Sequence, residues 1–277
     1  MGKIRNGQRI GILTAGGDCP GINAAIRGVG KTAIVKYNMK VIGISDGFTG
    51  MIHKEYRELS EQDLSGILTM GGTILGTSRE KPFKSEGKGR NEIRKPVLIR
   101  EHYEQLGLDC LVCIGGNGTL KTAYLLSQEG LNVIGIPKTI DNDVWGTDLT
   151  FGFDSAVNIA TEAIDRLHST ANSHKRIMVI ELMGHNAGWI ALYAGIAGGG
   201  DVILIPEIPY DEQKIAQYLT NRFMENKAYS IMVIAEGIKT PSKEGSAAHY
   251  LSRRISELTG IETRETVLGY IQRGGTH

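Results

Sequence analysis

The clearest structural signal in the chain lies in Cys110–Gly130, whose sequence is CLVCIGGNGTLKTAYLLSQEG. Its opening CLVCI is a short apolar run that predicts a buried strand, and glycines end that strand. Leu120–Glu129 then predicts a helix, and Asn132–Ile136 (NVIGI) predicts a second strand. A strand, a glycine-rich turn, a helix and another strand form the unit from which parallel sheets are built.

This unit recurs along the whole chain. In the first half, Arg9–Thr14 (RIGILT) and Lys40–Ile44 predict strands, and Ala24–Tyr37 predicts the helix between them. In the second half, the predicted strands are 176–182, 201–206 and 230–235, and the predicted helices are 155–171, 188–196, 210–226 and 247–259. We therefore expect an α/β protein with two Rossmann-like lobes, each with a mainly parallel sheet flanked by helices.

Composition narrows the class of protein. The chain has 277 residues and a formal net charge of +1, so its overall charge favours neither nucleic acid nor an anionic membrane surface. Of its three cysteines, Cys110 and Cys113 lie inside an apolar run, which predicts strand core rather than a disulfide, redox or metal site. The polar N-terminus is not typical of a signal peptide, and together these observations favour a cytoplasmic protein.

Three predicted strands end in residues that suit phosphate chemistry. The segments that follow them are Thr14–Asn23 (TAGGDCPGIN), Gly115–Thr119 (GGNGT) and Pro137–Asp143 (PKTIDND). Backbone N–H groups at a glycine-rich turn before a helix cradle phosphate oxygens, although a plain tight turn has the same glycines. The carboxylates, amide, hydroxyl and ammonium of PKTIDND suit phosphoryl transfer, in which one carboxylate accepts a hydroxyl proton and another organises Mg²⁺.

An ordered set of motifs spans nearly the whole chain. They are GGDCPGINAAIRG (16–28), LGTSR (75–79), IGGNGT (114–119), PKTIDND (137–143), MGHNAGW (183–189), PEIP (206–209) and TRETVLGYIQRGG (263–275). In this order the set resembles the phosphofructokinase family, although single pieces are shared with lipid and NAD kinases. The resemblance implies the phosphofructokinase fold and Mg²⁺-dependent transfer of the ATP γ-phosphoryl group to the 1-hydroxyl of fructose 6-phosphate, a step of glycolysis.

On the donor side, the resemblance implies a role for each matching residue. It places the donor phosphates over glycine-rich turns, namely at Gly17, Gly116, Gly118 and Thr119. Arg79 matches a contact with the transferring phosphate, and Phe48 matches a contact with the nucleotide base, although core packing would also explain Phe48. Asp141 matches the catalytic base, although a turn or helix cap would also explain it. The neighbours that match positions for phosphate, metal or added positive charge are Thr139, Asp143 and Lys138.

On the acceptor side, the resemblance implies a sugar-phosphate pocket formed by Met183, Gly184, Glu207 and Arg273. His185 and Tyr270 stand there in place of the arginine and histidine that are more common. In bacterial relatives, the positions of Arg176 and Arg264 carry arginines that cross to a neighbouring subunit, so we expect a homotetramer or homodimer. A surface salt bridge would also explain each arginine, and a turn or helix cap would also explain Glu207.

Two departures from the family concern the phosphoryl donor. Asn117 stands where an aspartate usually helps to hold Mg²⁺. Its amide oxygen can still bind the ion or its water, but the amide carries no negative charge. Gly118 is typical of ATP users, because an aspartate there obstructs nucleotide phosphates, whereas Lys138 resembles pyrophosphate users. We expect ATP as donor, with pyrophosphate as the alternative. Asn117 also leaves open a sugar-phosphate-binding regulatory subunit with weak or no turnover.

The resemblance also divides the chain by function. Residues 1–152 together with 266–277 are expected to form the donor lobe, and residues 153–265 the fructose 6-phosphate lobe. The chain ends just past Gln272–Gly275, where family members continue for several dozen residues. We therefore expect a chain that is truncated at its C-terminus, with an incomplete donor lobe.

Overall fold

The computed structural model of the chain describes residues 7–84, 95–241 and 245–276. The chain forms two compact units. The first extends to Thr139 and takes in Val144–Gly152 and the residues from Gly274 onward, and the second consists of Ile140–Asp143 and Phe153–Arg273. The sequence-based division placed residues 266–273 in the first lobe, whereas the structure groups them with the second unit. Thr266 and Val267 pair with the strand 177–182, and the Leu268 N–H donates to the Glu181 carbonyl of that strand.

The first unit is built on a five-stranded sheet with the order β3-β2-β1-β4-β5. Its strands are β1 (Arg9–Ala15), β2 (Lys40–Ile44), β3 (Tyr56–Leu59), β4 (Cys110–Gly115) and β5 (Val133–Pro137). Neighbouring strands run parallel except for β3, which is antiparallel to β2. The central strands β1 and β4 are almost wholly buried, as their apolar runs predicted.

Helices pack against this sheet. They are α1 (Ile22–Lys31), α2 (Phe48–His53), α3 (Lys95–Gln105) and α4 (Asn117–Gln128). The predicted helix Ala24–Tyr37 is confirmed, but its last part, Thr32–Lys36, has the wider hydrogen-bond pattern of a π-helix. The expectation that Cys110 and Cys113 are strand core is also confirmed. Both are free and buried in β4, and burial raises the pKa of the Cys113 thiol.

The second unit contains a four-stranded parallel sheet with the order β7-β8-β6-β9. Its strands are β6 (Ile177–Leu182), β7 (Val202–Leu204), β8 (Ser230–Ala235) and β9 (Thr263–Val267). Its helices are α5 (Phe153–His174), α6 (Trp189–Ala197), α7 (Glu212–Met224) and α8 (Ala247–Thr259). The predicted α/β architecture with two units is therefore confirmed. Within the described ranges, no helix combines the length and apolarity needed to cross a membrane.

Candidate active site

In the first unit, two glycine-rich turns meet at one point of the sheet. β1 pairs with β2 on one side and with β4 on the other, so the strand order reverses between β1 and β4. In sheets of this kind, ligands bind outside the carboxyl ends of the strands at such a switch point. Ala15 lies beside Gly115 there, so the turns that begin at Gly16 and Gly116 leave the sheet side by side.

The turn after β1 is held by the segment Leu75–Arg79. The Gly16 N–H donates to the Ser78 carbonyl at 2.9 Å, and Thr77 Oγ1 donates to the Gly16 carbonyl at 2.6 Å. Gly16 has a φ of +87°, a conformation that favours glycine. Because the Gly16 N–H already donates to the Ser78 carbonyl, it is not a phosphate donor. Arg79 directly follows Ser78 with an exposed side chain, so it lies close to this turn.

The turn after β4 opens helix α4. Gly116 is the N-cap residue, and the first helical turn is Asn117, Gly118 and Thr119. The N–H groups of a first helical turn favour anions. A Cβ atom on Gly118 would meet no atom within 4 Å, so space is open at this position. Thr119 is only 7% exposed and packs against Gly115.

Lys138 is a buried cation beside these turns. The residue is 3% exposed, and its Nζ donates a hydrogen bond to the Gly17 carbonyl. A Cβ atom on Gly16 would lie 3.8 Å from both Lys138 Nζ and Thr119 Oγ1, so the ammonium and the hydroxyl flank the same turn. Burying a charge is costly unless it is hydrogen-bonded or paired. Lys138 thus supplies local positive charge in a chain of nearly zero net charge.

The PKTIDND segment passes from the first unit into the second. Thr139 belongs to the first unit, where its carbonyl accepts from Thr150 Oγ1 at 2.7 Å. Asp141 and Asp143 belong to the second unit; Asp141 is half-buried and Asp143 is exposed. Asn142 between them has a φ of +51°, a left-handed conformation that asparagine adopts more readily than most residues.

Phe48 lies in the core of the first unit. It begins α2, is 1% exposed and belongs to the same cluster of buried side chains as Ile44 and Met51. The ring is enclosed by other apolar side chains, which does not favour the expected contact with a nucleotide base; that contact stays a prediction. Core packing, the other explanation that the sequence allowed, accounts for Phe48.

In the second unit, the turn after β6 carries the predicted sugar-phosphate residues. Met183, Gly184 and His185 follow β6 directly, and His185 is exposed with a strained φ of +51°. The Met183 N–H donates to Gln272 Oε1 at 2.8 Å. The Gly184 and His185 N–H groups donate to Glu236 Oε1 at 3.3 and 2.7 Å. The backbone donors of this turn are therefore bound to side chains.

The sequence reasoning did not single out Glu236 or Gln272. Glu236 directly follows β8, so the signal that found the first unit's turns, a polar residue at the carboxyl end of a buried strand, would have found it. Gln272 lies in the short 3₁₀ helix Gly269–Gln272 and is fully buried, and no local pattern predicts that a glutamine there turns inward.

Glu207 caps a helix. Its Oε1 accepts a hydrogen bond of 2.8 Å from the N–H of Gly188, which is the N-cap residue of α6. A carboxylate at a helix N-terminus is favourable because of the orphan N–H groups and the helix dipole. Capping is thus the role that the structure gives to Glu207, while a contact with sugar hydroxyls stays a prediction.

Tyr270 and Arg273 lie together beside the Met183 turn. The Arg273 guanidinium stands 5.1 Å from the centre of the Tyr270 ring, within the range of a cation–π interaction. Gln272 lies between them in sequence and binds the Met183 N–H. The Tyr270 side chain is 75% exposed. A guanidinium and a phenol that are held together at a surface suit recognition of phosphate.

Arg176 and Arg264 lie at the other end of the same sheet. Arg176 precedes β6, and Arg264 pairs with Met178 near the start of β6. Both arginines form ion pairs with Glu262, at 3.5 and 2.9 Å. At about 3.3 Å per residue, Arg176 is roughly 23 Å from Met183. The structure therefore does not bring these arginines to the Met183 turn of their own chain.

Comparisons with known proteins agree with the motifs. The profile of the family described as Phosphofructokinase matches residues 9–277. The ATP-dependent 6-phosphofructokinase 3 of Bacteroides thetaiotaomicron is 62% identical over 269 residues, which cover 97% of this chain and 80% of that protein.

Solved structures show the same fold. Pichia pastoris phosphofructokinase in the T-state matches with a TM-score of 0.88 and 33% identity, over 99% of this chain and 31% of that chain. A pyrophosphate-dependent phosphofructokinase from Marinobacter aquaeolei matches with a TM-score of 0.83 and 26% identity, over 96% of this chain and 69% of that chain. Because the family profile covers almost the whole sequence, the chain belongs to the phosphofructokinase family.

Proposed function

We propose that the chain is an ATP-dependent 6-phosphofructokinase, which transfers the γ-phosphoryl group of ATP to the 1-hydroxyl of fructose 6-phosphate. Family membership supports the reaction class, and the observation that carries the choice of ATP is the open space at Gly118. A nucleotide needs that space where its phosphates approach the start of α4. The Bacteroides relative, which is named ATP-dependent, supports the same choice.

On the donor side, the phosphates lie over the turns at the carboxyl ends of β1 and β4. The first N–H groups of α4 and the Lys138 ammonium face the negative charge there, while Arg79 reaches the transferring phosphate from the segment beside the β1 turn. Backbone donors fixed by the fold stabilise developing charge without reorganising during the reaction. Lys138 adds a full positive charge and also steadies the turn through the Gly17 carbonyl.

Asp141 is the general base of the proposed reaction. Its carboxylate accepts the proton of the 1-hydroxyl as that oxygen attacks the γ-phosphorus in line. The bond between the γ-phosphorus and the bridging oxygen of ATP breaks, and ADP leaves with that electron pair. Thr139 and Asp143 flank Asp141 in the same segment and orient the reacting groups.

The donor side suits a Mg²⁺ ion that arrives with the nucleotide. Within the described residues, no group of three or more His, Cys, Asp or Glu side chains is placed to hold a metal. Mg²⁺ often takes only one or two protein ligands and completes its shell with water and substrate phosphates. Asn117, exposed at the start of α4, would hold the ion or its water. Bound there with ATP, the ion would neutralise phosphate charge.

On the acceptor side, side chains bind the 6-phosphate of the sugar. The backbone N–H groups of the Met183 turn already donate to Gln272 and Glu236, so they are not phosphate donors. The side chains that bind the 6-phosphate in this proposal are His185, Tyr270 and Arg273. Glu207 has one carboxylate oxygen in a cap and binds a sugar hydroxyl through the other. The burial of Phe48 supports core packing rather than a contact with the nucleotide base.

The distance of Arg176 and Arg264 from the Met183 turn supports an oligomer. We infer that these arginines serve the sugar-phosphate site of a neighbouring subunit in a homodimer or homotetramer, because they lie at the opposite end of the sheet from their own turn. A cytoplasmic location completes the proposal, since the three cysteines are free.

A coupled assay of fructose 1,6-bisphosphate formation tests the proposal, with Mg²⁺ and with ATP or pyrophosphate as donor. We expect turnover with ATP and none with pyrophosphate. Turnover with pyrophosphate alone would mean that Lys138 outweighs Gly118 in setting the donor. Binding of fructose 6-phosphate without turnover by either donor would favour a regulatory subunit instead.

A further inference from the structure

Three side chains from different elements bind the backbone of the turn after β6, residues 183–188. Gln272 Oε1 accepts from the first N–H at 2.8 Å, and Glu236 Oε1 accepts from the next two at 3.3 and 2.7 Å. Glu207 Oε1 accepts from the last N–H of the turn at 2.8 Å. The turn is therefore fixed by contacts that are distant in sequence, rather than by its own hydrogen bonds alone.

Gln272 differs from the two glutamates in its burial. It is 0% exposed, whereas both Glu236 and Glu207 are exposed. Its Nε2 is also buried and has no hydrogen-bond partner in the part of the chain that the structure describes. A buried polar group without a partner is costly, and an apolar side chain of the same length would avoid that cost. The favourable contribution of Gln272 is therefore the bond that its oxygen accepts from Met183 N.

The position of Gln272 also ties two parts of the acceptor site together. It ends the 3₁₀ helix Gly269–Gln272, so it lies between Tyr270 and Arg273 in the chain. The start of the same segment is tied to β6 as well, because the Leu268 N–H donates to the Glu181 carbonyl at 3.1 Å. Gln272 thus fixes the spacing between the Met183 turn on one side and the phenol and guanidinium on the other.

We propose that Gln272 is a positioning residue for the sugar-phosphate acceptor, an inference that rests on the proposed function. It does not touch the reacting atoms. It holds the Met183 turn and the pair Tyr270–Arg273 in one arrangement, so that a phosphorylated sugar meets both at once. A ligand that contacts groups on two segments loses affinity when their spacing is no longer fixed.

The experiment compares the wild type with Gln272→Met and Gln272→Glu. Gln272→Met keeps the length of the side chain but removes the acceptor, whereas Gln272→Glu keeps an oxygen in the same place. Amide hydrogen exchange should show that Met183 N–H loses protection in Gln272→Met and keeps it in Gln272→Glu. The KM for fructose 6-phosphate should rise about 5- to 50-fold in Gln272→Met, and the KM for ATP should stay within about twofold.

The KM values for fructose 6-phosphate and for ATP separate a positioning role from a simple loss of stability. A destabilised variant has fewer folded molecules, which lowers kcat without changing either KM. Ser252→Ala is the matched control, because Ser252 is also buried and polar in this unit but binds Glu265 and the His249 carbonyl instead of the turn. Both of its KM values should match those of the wild type.

The outcomes distinguish this inference from the proposed function. An active wild type whose Gln272→Met variant keeps the same KM for fructose 6-phosphate, or the same protection of Met183, would overturn the positioning role alone. A wild type that neither binds fructose 6-phosphate by calorimetry nor turns it over would overturn both.

Discussion

The two units place ligand groups at the carboxyl ends of their strands in different ways. In the first unit, the turns after β1 and β4 are rich in glycine, and the main additional side chain is the buried Lys138. In the second unit, side chains from other elements bind the backbone N–H groups of the turn after β6. The proposed donor site thus relies largely on backbone groups, and the proposed sugar-phosphate site on side chains.

Under the proposed function, this difference indicates how each site would recognise phosphate. A backbone site binds any phosphate chain that fits its shape, so its specificity depends on where space is open, as at Gly118. A site whose backbone donors are already used must recognise phosphate through charged and polar side chains. A negative charge added at a glycine should therefore disrupt the first site, whereas loss of a polar or charged side chain should disrupt the second.

The largest effect is expected in the segment that connects the units. Asp141→Ser removes the proposed base, so kcat should fall about 10²- to 10⁴-fold in the coupled assay. The melting temperature should stay close to that of the wild type. Asp165→Ser, which removes an exposed carboxylate from α5, is the matched control and should keep full activity. A kcat above about a tenth of the wild-type value in Asp141→Ser would exclude this residue as the base.

An added carboxylate should have the next largest effect, and it tests the backbone site directly. Gly118→Asp places a negative charge where ATP phosphates approach, and we expect the KM for ATP to rise by about 100-fold or more, since repulsion between like charges costs several kcal/mol. Gly118→Ala should change the KM less than about threefold, because its Cβ atom enters open space. Equal effects of the two substitutions would mean that bulk rather than charge controls this position.

Removing the buried cation should have a smaller effect. Lys138→Met leaves the glycine turns in place but removes a charged hydrogen bond and a phosphate-facing charge, so kcat/KM for ATP should fall about 10- to 100-fold. Lys121→Met removes an exposed lysine of α4 and serves as the control. If Lys138→Met matched the wild type, the first site would depend on backbone alone, which would sharpen the contrast between the units.

The smallest effect is expected at Glu207. Glu207→Gln keeps an oxygen that accepts from Gly188 N, so the KM for fructose 6-phosphate should change less than about twofold. Glu207→Ala removes the cap and should lower the free energy of unfolding by about 1 kcal/mol, measured by urea denaturation. A large rise of the KM in Glu207→Gln would show instead that its charge binds the sugar.

The sequence predicted the buried parts of the fold best. The apolar runs of β1, β4 and β8 and the amphipathic helix α8 were located to within a residue, because their burial dictates their composition. The strands β3 and β9 were missed. Their residues, YREL and TRETV, are largely polar because these strands lie at sheet edges with exposed side chains.

The sequence likewise predicted only part of the candidate site. Glycine turns and clustered polar residues such as PKTIDND are visible in a sequence, since several residues in a row share one role. Phe48 was placed beside a base although its side chain is core, because an aromatic residue after a turn suits either position. Gln272 acts through one contact with a residue 89 positions away, and such pairing is specified only by the folded chain.

Transfer of labelled phosphate tests the central claim most directly. The protein is mixed with [γ-³²P]ATP, Mg²⁺ and fructose 6-phosphate, and the position of the label in the product is determined. Label on carbon 1 of fructose 1,6-bisphosphate, formed without added pyrophosphate, is the predicted result. Label released only as inorganic phosphate, or no loss of label from ATP, would contradict the proposed transfer.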